Sequence, residues 1–159
     1  EGVCVKDNSL FVSDESLRKM IEYSRSDMAK KRVVEIPYHG ARNEGYESIT
    51  YISDEKVFIG FTEKNPCLFT KFSTDFSILD QHSIAGIHEV SSVTYHDHKL
   101  FVLSDEDMTI YQIDPVTLSI ETGWVIPVIN PEGICFNDKG KMIIVSDDAG
   151  RVYSFDLTK

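Results

Sequence analysis

The feature that most restricts what this chain can become is a repeat. Residues Asn130 to Asp156, NPEGICFNDKGKMIIVSDDAGRVYSFD, make one clear unit. It holds a short apolar strand (Ile134 to Phe136), an Asp/Gly turn (Asn137 to Gly140), a second strand (Met142 to Val145), an acidic turn (Ser146 to Gly150) and a third strand (Arg151 to Phe155). Weaker versions occur three times upstream. The opening strands, strand A of each unit, are EGVCV from Glu1, ESITY from Glu47, SSVTY from Ser91 and EGICF from Glu132, so successive units start 46, 44 and 41 residues apart. A period of this length, built from short strands, points to stacked or radially arranged β units that bury their faces against one another.

Each strand A runs into a polar turn with an Asp at nearly the same offset: Asp7, Asp54, Asp97 and Asp138. Asp side chains bond nearby backbone groups and favour reversals, so these acids are read as turn residues. Strand B follows at Leu10 to Val12, Val57 to Phe61, Leu100 to Leu103 and Met142 to Val145. These continuous apolar runs predict strands covered on both faces. Strand C is placed at Met20 to Tyr23, Leu68 to Phe72, Thr109 to Ile113 and Val152 to Phe155, and strand D at Val33 to Pro37, Ser77 to Ile84 and Thr122 to Val128. The sequence stops at Lys159, where a fourth strand D is expected. Ser16 to Lys31 has a partial helical period in Leu17, Met20, Ile21 and Met28, but the aligned positions elsewhere are strand-like, so a strand is preferred there too.

Four-stranded antiparallel meanders at this period are the mark of a β-propeller. The predicted fold class is therefore all-β: a β-propeller-type array of four antiparallel meander blades at about 1–40, 46–86, 90–128 and 131–159, the last lacking its outer strand. Together they form one partial propeller domain over 1–159.

Composition narrows the function classes. With 16 Lys and Arg against 26 Asp and Glu, the formal charge is −10, which disfavours a phosphate backbone as partner. The one basic run, Lys30 to Arg32, is read as a solvated inter-strand loop with no aromatic residues to stack bases. No stretch approaches the roughly 18 apolar residues of a spanning helix, so no transmembrane segment is expected in this chain. The chain opens on Glu1 within a repeat rather than on Met, which suggests upstream or processed sequence. Cys4, Cys67 and Cys135 show no CxxC spacing, and Cys4 and Cys135 are expected to serve as small buried side chains in their strands.

Topology places the acids. In a meander the start of strand A and the end of strand B share one end of the blade. Glu1, Glu47 and Glu132 therefore lie at the same end as Asp14, Glu15, Glu63, Asp105, Glu106, Asp147 and Asp148, while the A–B turns go to the other end. Strand A lines the channel in propellers, so the glutamates are expected at its mouth with the B–C acids behind them. Converging carboxylates repel unless some are protonated or a cation sits among them. Calcium, which takes six to eight oxygen ligands, suits such a set, with Glu1, Glu47 and Glu132 as the metal candidates. In the competing reading each Glu caps its own blade by accepting backbone N–H bonds. His96-Asp97-His98 occupies an A–B turn and is read as structural. His88 lies on the acidic side and is kept as a candidate binding residue. No GxSxG, HExxH, P-loop or GxGxxG motif is present, so no catalytic residue is assigned.

The motifs NPEGICF, MIIVSDD and RVYSF, with SSVTY and LFVLSDE in the third unit, resemble the SdiA-regulated propeller family of bacteria and, more distantly, NHL repeats and the SMP-30/gluconolactonase group. The first resemblance implies a propeller without established catalytic activity, often periplasmic or envelope-associated. The second implies, as an alternative, a metal-dependent lactonase or esterase with a glutamate-held cation; Ser91 replaces that Glu in the third unit. Relatives close rings of more than four blades. Three arrangements answer this: the chain is part of a longer protein, two chains complete one ring, or four blades close on themselves with a trimmed last blade; the first two together are preferred, so self-association, as a homodimer or by ring completion, is expected. The leading expectation is a non-catalytic binding or scaffolding propeller, ligand unknown, with an acidic and potentially calcium-binding face.

Overall fold

Short runs of β-branched and aromatic residues, separated by polar reversals, give fifteen strands and no helix in the computed structural model, which describes residues 1–36, 45–64 and 66–156. They form four antiparallel sheets of β-propeller type, each a meander in chain order, the last with three strands. The chain divides into two compact units, Glu1–Ala85 and Gly86–Lys159.

In Glu1–Ala85 the first sheet is β1 (Val3–Lys6), β2 (Ser9–Asp14), β3 (Lys19–Ser24) and β4 (Lys30–Glu35), and the second is β5 (Tyr46–Ile52), β6 (Val57–Thr62), β7 (Leu68–Phe72) and β8 (Ile78–Ser83). Pairing of Ser13 with Met20 and of Met20 with Val34 sets the inward row of the first sheet. Phe11, Met20 and Ile36 pack there against Ile49, Phe58, Phe72 and Phe76. Phe58 is the hub, with ring centroids 4.7 Å from Phe11, 4.7 Å from Phe76 and 5.0 Å from Tyr51. Gly2 lets β1 come close: a Cβ there would lie 2.7 Å from the Ser48 Cα and the Ile49 nitrogen, both backbone atoms that cannot swing away. Gly2→Val is accordingly expected to cost about 1–3 kcal/mol by overpacking, read as a fall in Tm of several degrees. An unchanged Tm would mean that β1 is free to shift away from β5.

In Gly86–Lys159 the third sheet is β9 (Ser92–His96), β10 (Lys99–Ser104), β11 (Thr109–Ile113) and β12 (Ile120–Val125), and the fourth is β13 (Pro131–Phe136), β14 (Met142–Ser146) and β15 (Arg151–Phe155). Phe101, Leu103, Ile110, Ile126 and Val128 pack against Ile134, Met142 and Ile144.

The A–B turns are the tight reversals the sequence predicts. Asp7 and Asp97 take left-handed backbone conformations, with φ of 53° and 46°, whereas Lys56 and Gly140 take that role in the other two turns. Ser16 to Lys31 is strand and turn, not helix. Four expectations are corrected. Lys30 to Arg32 is the start of β4 rather than a loop, since Arg32 pairs with Glu22 at 3.3 Å and lies over the Phe76 ring while Lys31 donates to Ser9. Strand B is covered on both faces in β6 and nearly so in β10, but β2 alternates between buried and half-buried positions, and β14 between buried and half-buried or exposed ones. Cys135 is exposed, not buried, because it lies on the open face of the fourth sheet, and none of the three cysteines is in a disulfide. Two of the strand D segments begin earlier than the apolar pattern suggested, β4 by three residues at Lys30 and β12 by two at Ile120, apolar content being low where an outer strand starts in solvent, whereas β8 begins one residue later, at Ile78. The predicted strand end at Pro37, blade limits at 37–40 and chain end at 157–159 lie outside the described residues.

Candidate functional site: two acidic rims

Each unit gathers its own set of acids at the end of the sheets where strand A starts and strand B stops. Within Glu1–Ala85 the set is Glu1, Glu15, Glu47 and Glu63. Glu15 is buried and its Oε1 accepts the Gly45 N–H at 2.9 Å. Gly45 is needed there because a Cβ would meet the Glu15 Cγ at 2.7 Å. Glu1 Oε2 in turn accepts the Glu15 N–H at 3.3 Å. Glu63 pairs with Lys64 at 2.7 Å. Asp14 does not join the set: its Oδ1 accepts the Leu17 N–H at 2.9 Å and shapes the B–C turn. Glu47 is half-buried in this company, and its carboxyl is pushed up to about 8, first by burial and then by the charges of Glu15, Glu1 and Glu63.

Within Gly86–Lys159 the acids are Glu89, Asp105, Glu132, Asp147 and Asp148. The carboxyl of Glu132 is raised above the usual range, by burial first and then by Asp147, Asp105, Glu89 and Asp148. Asp147 Oδ1 accepts the Asp148 N–H at 2.6 Å, and Asp148 Oδ2 accepts from Asn130 at 2.8 Å. Glu89 is buried, and one oxygen, Oε2, accepts the N–H groups of Asp105 at 3.0 Å and Glu106 at 3.1 Å. Glu106 itself is exposed on the turn.

Glu89 is the residue that the repeat alignment missed. The third strand A opens on Ser91, yet Glu89, two residues upstream, accepts the B–C turn N–H groups much as Glu1 does in the first sheet. The signal was the HEV preceding SSVTY, legible once the alignment is allowed to slip by two residues. Ser91 does different work, donating to the Pro131 carbonyl at 2.9 Å and so tying the third sheet to the fourth. The hydroxyl closing each strand B is a second shared part. Ser13, Thr62, Ser104 and Ser146 are all buried, and each bonds backbone groups: Gly2 N for Ser13, Leu68 N for Thr62, Asp107 N for Ser104 and Ala149 N for Ser146.

His88 is exposed and belongs to a cluster around Asp107. Its Nδ1 lies 2.5 Å from Asp107 Oδ1, its own N–H donates to Oδ2 at 3.2 Å, and Tyr111 donates to Oδ2 at 3.0 Å. Burial pushes the Asp107 carboxyl up, but these hydrogen bonds outweigh it and hold the group below its ordinary value. The same bond raises His88. Asp107 thus locks the B–C turn by accepting from several donors. His96 stacks on Phe136 with centroids 4.0 Å apart, and Asp97 and His98 form the turn, so that motif is structural as read.

Among the described residues no group of three or more His, Cys, Asp or Glu side chains stands close enough to hold a metal ion. The carboxylates point to each rim without closing on one point, and several are spent on backbone N–H groups. As placed, they do not form a calcium cage. No described helix is long and apolar enough to cross a membrane.

Among solved structures the fold is similar to glutaminyl cyclase of Myxococcus xanthus (TM-score 0.78, 11% identity, covering 97% of this chain and 70% of that one). It is also similar to hydrazine synthase of Kuenenia stuttgartiensis (0.67, 11%, covering 99% and 46%) and to the WD40 repeats of RRP9 (0.58, 12%, covering 97% and 51%). At such identities the likeness is one of fold alone. No curated protein matches the sequence. The family model described as SdiA-regulated matches residues 1–156.

Proposed function

This chain belongs to the SdiA-regulated family, and on that footing we propose that it is a non-catalytic binding propeller whose acidic B–C rims receive a positively charged group. One observation carries the reading. Burial and three neighbouring glutamates push the Glu47 carboxyl up to about 8 despite the nearby N-terminal ammonium, so its ionised form is disfavoured and gains from an added counter-charge. A cation arriving at the rim supplies it and is held by it. The net charge of −10 adds a long-range pull toward basic partners and against nucleic acid.

Calcium is the simplest cation for such oxygen donors, and its binding requires the rim carboxylates of Glu1 and Glu47 in one unit, or of Glu132 in the other, to draw together around it. Thermal melts at pH 8 with EDTA and with added calcium test this. A ligand at about ten times its Kd stabilises by about 1.4 kcal/mol, a rise in Tm of several degrees. If neither addition moves Tm, calcium is not the cation.

A further inference from the structure

The third sheet carries a clasp that is not written into the repeat. Its B–C turn, Ser104 to Thr109, is gripped by the segment that leads into β9. Glu89 Oε2 accepts the Asp105 and Glu106 N–H groups, and next to it His88 meets Asp107 twice, through its backbone N–H on Oδ2 and through Nδ1 on Oδ1. Asp107 stands three residues after the hydroxyl that closes strand B. Ser16, Asn65 and Ala149 hold that place in the other units, so the carboxylate is a departure of this unit alone.

The two oxygens of Asp107 are held differently. Oδ2 accepts from Ser104 Oγ at 3.2 Å and from Tyr111 Oη at 3.0 Å as well as from the His88 N–H, which fixes the carboxylate on the turn. Oδ1 faces the imidazole at 2.5 Å. The Asp107 side chain is 13% exposed and that of His88 78%, so a largely buried carboxylate meets a ring that exchanges protons with water. The donors on Oδ2 already serve the turn. What the ring adds, when protonated, is a charge.

We propose that His88 and Asp107 form a pH-sensitive latch, closed while the imidazole is protonated and loosened when it is neutral, which sets how firmly Glu89 and its segment are held on the B–C turn. The charged ring makes a charge-assisted bond, roughly twice as strong as the neutral one that remains after the proton leaves. The groups that face His88 favour the charged form: the bond to Asp107 first, then the charges of Asp107 and Glu106, raise the ring above its ordinary 6.5. Asp107 is held below its ordinary value and stays ionised. Tyr111 is raised above its ordinary 10, by burial first and then by Asp107, and stays neutral, so of these three His88 is the one that changes charge around neutral pH. Because the folded value is raised, the stabilisation is fully present below about 6.5 and is lost as pH rises through the folded value.

Glu47 lowers global stability over an overlapping pH range, so the test must be local. NMR of the 159-residue chain from about pH 5.5 to 9 follows the His88 ring and the exchange of the Asp105 and Glu106 amides, which donate to Glu89. In the parent the ring is expected to titrate above 6.5, and amide protection, corrected for the intrinsic exchange rate, to fall several-fold through the same interval. His88→Gln keeps the backbone N–H and a side-chain donor without the charge, and its protection is expected to be flat there. Asp107→Asn is expected to return the ring to its ordinary value. A parent ring that titrates at or below 6.5 overturns the proposal, as does parent protection without a step. So does a step that persists in His88→Gln, which would place the titrating group elsewhere. Should Asn disturb the turn, His88→Gln, at an exposed position, carries the test alone. No readout involves a ligand, so the latch stands or falls independently of whether the rims take a cation.

Discussion

At pH 8 the Glu47→Gln variant is expected to melt several degrees above the parent, and the gap is expected to close toward pH 4.5. The folded protein holds the Glu47 carboxyl up at about 8, against an ordinary value of 4.5. Between these limits the folded state binds more protons than the unfolded state, so stability falls as pH rises through that window. The contribution is fully present below about 4.5 and is lost above 8. Gln keeps the shape and carries no charge, so it removes the penalty. The group is half-exposed and solvent screens its neighbours, which brings the gain at pH 8 to about 1–3 kcal/mol. Melts of parent and variant across pH 4.5 to 8.5 check this, and parallel curves would show that Glu47 ionises normally. Calcium separates two further outcomes. If the rim of Glu1 and Glu47 takes the ion, calcium lifts the parent's Tm at pH 8 and leaves the variant's unmoved, whereas binding at the Glu132 rim lifts both.

The fold was legible because the repeat exposes the same local choices four times. Strands β7 and β11 match the apolar runs to the residue, and Asp7 and Asp97 take the left-handed turn conformations that their type favours. The misplaced pieces share a cause: they depend on which faces have neighbours. The runs in β2 and β14 are as apolar as that in β6, yet their sheets have only one covered face each, which no local pattern records. Arg32 was read as a loop residue because its charge hides a packing role: the guanidinium covers Phe76 and pairs with Glu22. At the site, topology gathered the carboxylates at the right ends of the sheets. It did not show which ones would be spent on the backbone. Glu1 accepts a backbone N–H as the capping reading expects, and Glu15, Glu89 and Asp14 turn out to be N–H acceptors as well, while Glu47 and Glu132 keep raised carboxyls. Distinguishing the two roles needs side-chain direction across a turn, which spacing in sequence does not carry.

Phe58→Ala is expected to produce the largest loss of stability, about 3–5 kcal/mol, because it removes a large buried side chain at the point where two sheets meet. Phe58 is wholly buried and its ring touches Phe11 of the first sheet, Tyr51 of its own sheet and Phe76 beyond β7. Those neighbours come from three separate segments, Phe11 and Tyr51 in strand ladders and Phe76 in the β7–β8 turn, where its N–H donates to the Ser73 carbonyl, so they cannot collapse into the space together, and the cavity term adds to the lost transfer energy. Phe58→Leu keeps most of the volume and is expected to cost less than half as much. The consequence reaches the rim. Glu1 and Glu15 stand on the first sheet and Glu47 on the second, so the field that raises Glu47 depends on the two sheets keeping their separation. In Phe58→Ala the fall of stability between pH 4.5 and 8 should therefore flatten along with the lower Tm, whereas Phe101→Ala, which opens the core of the other unit, should lower Tm and leave the slope due to Glu47 in place. Equal flattening by both variants would show that the pH dependence arises elsewhere.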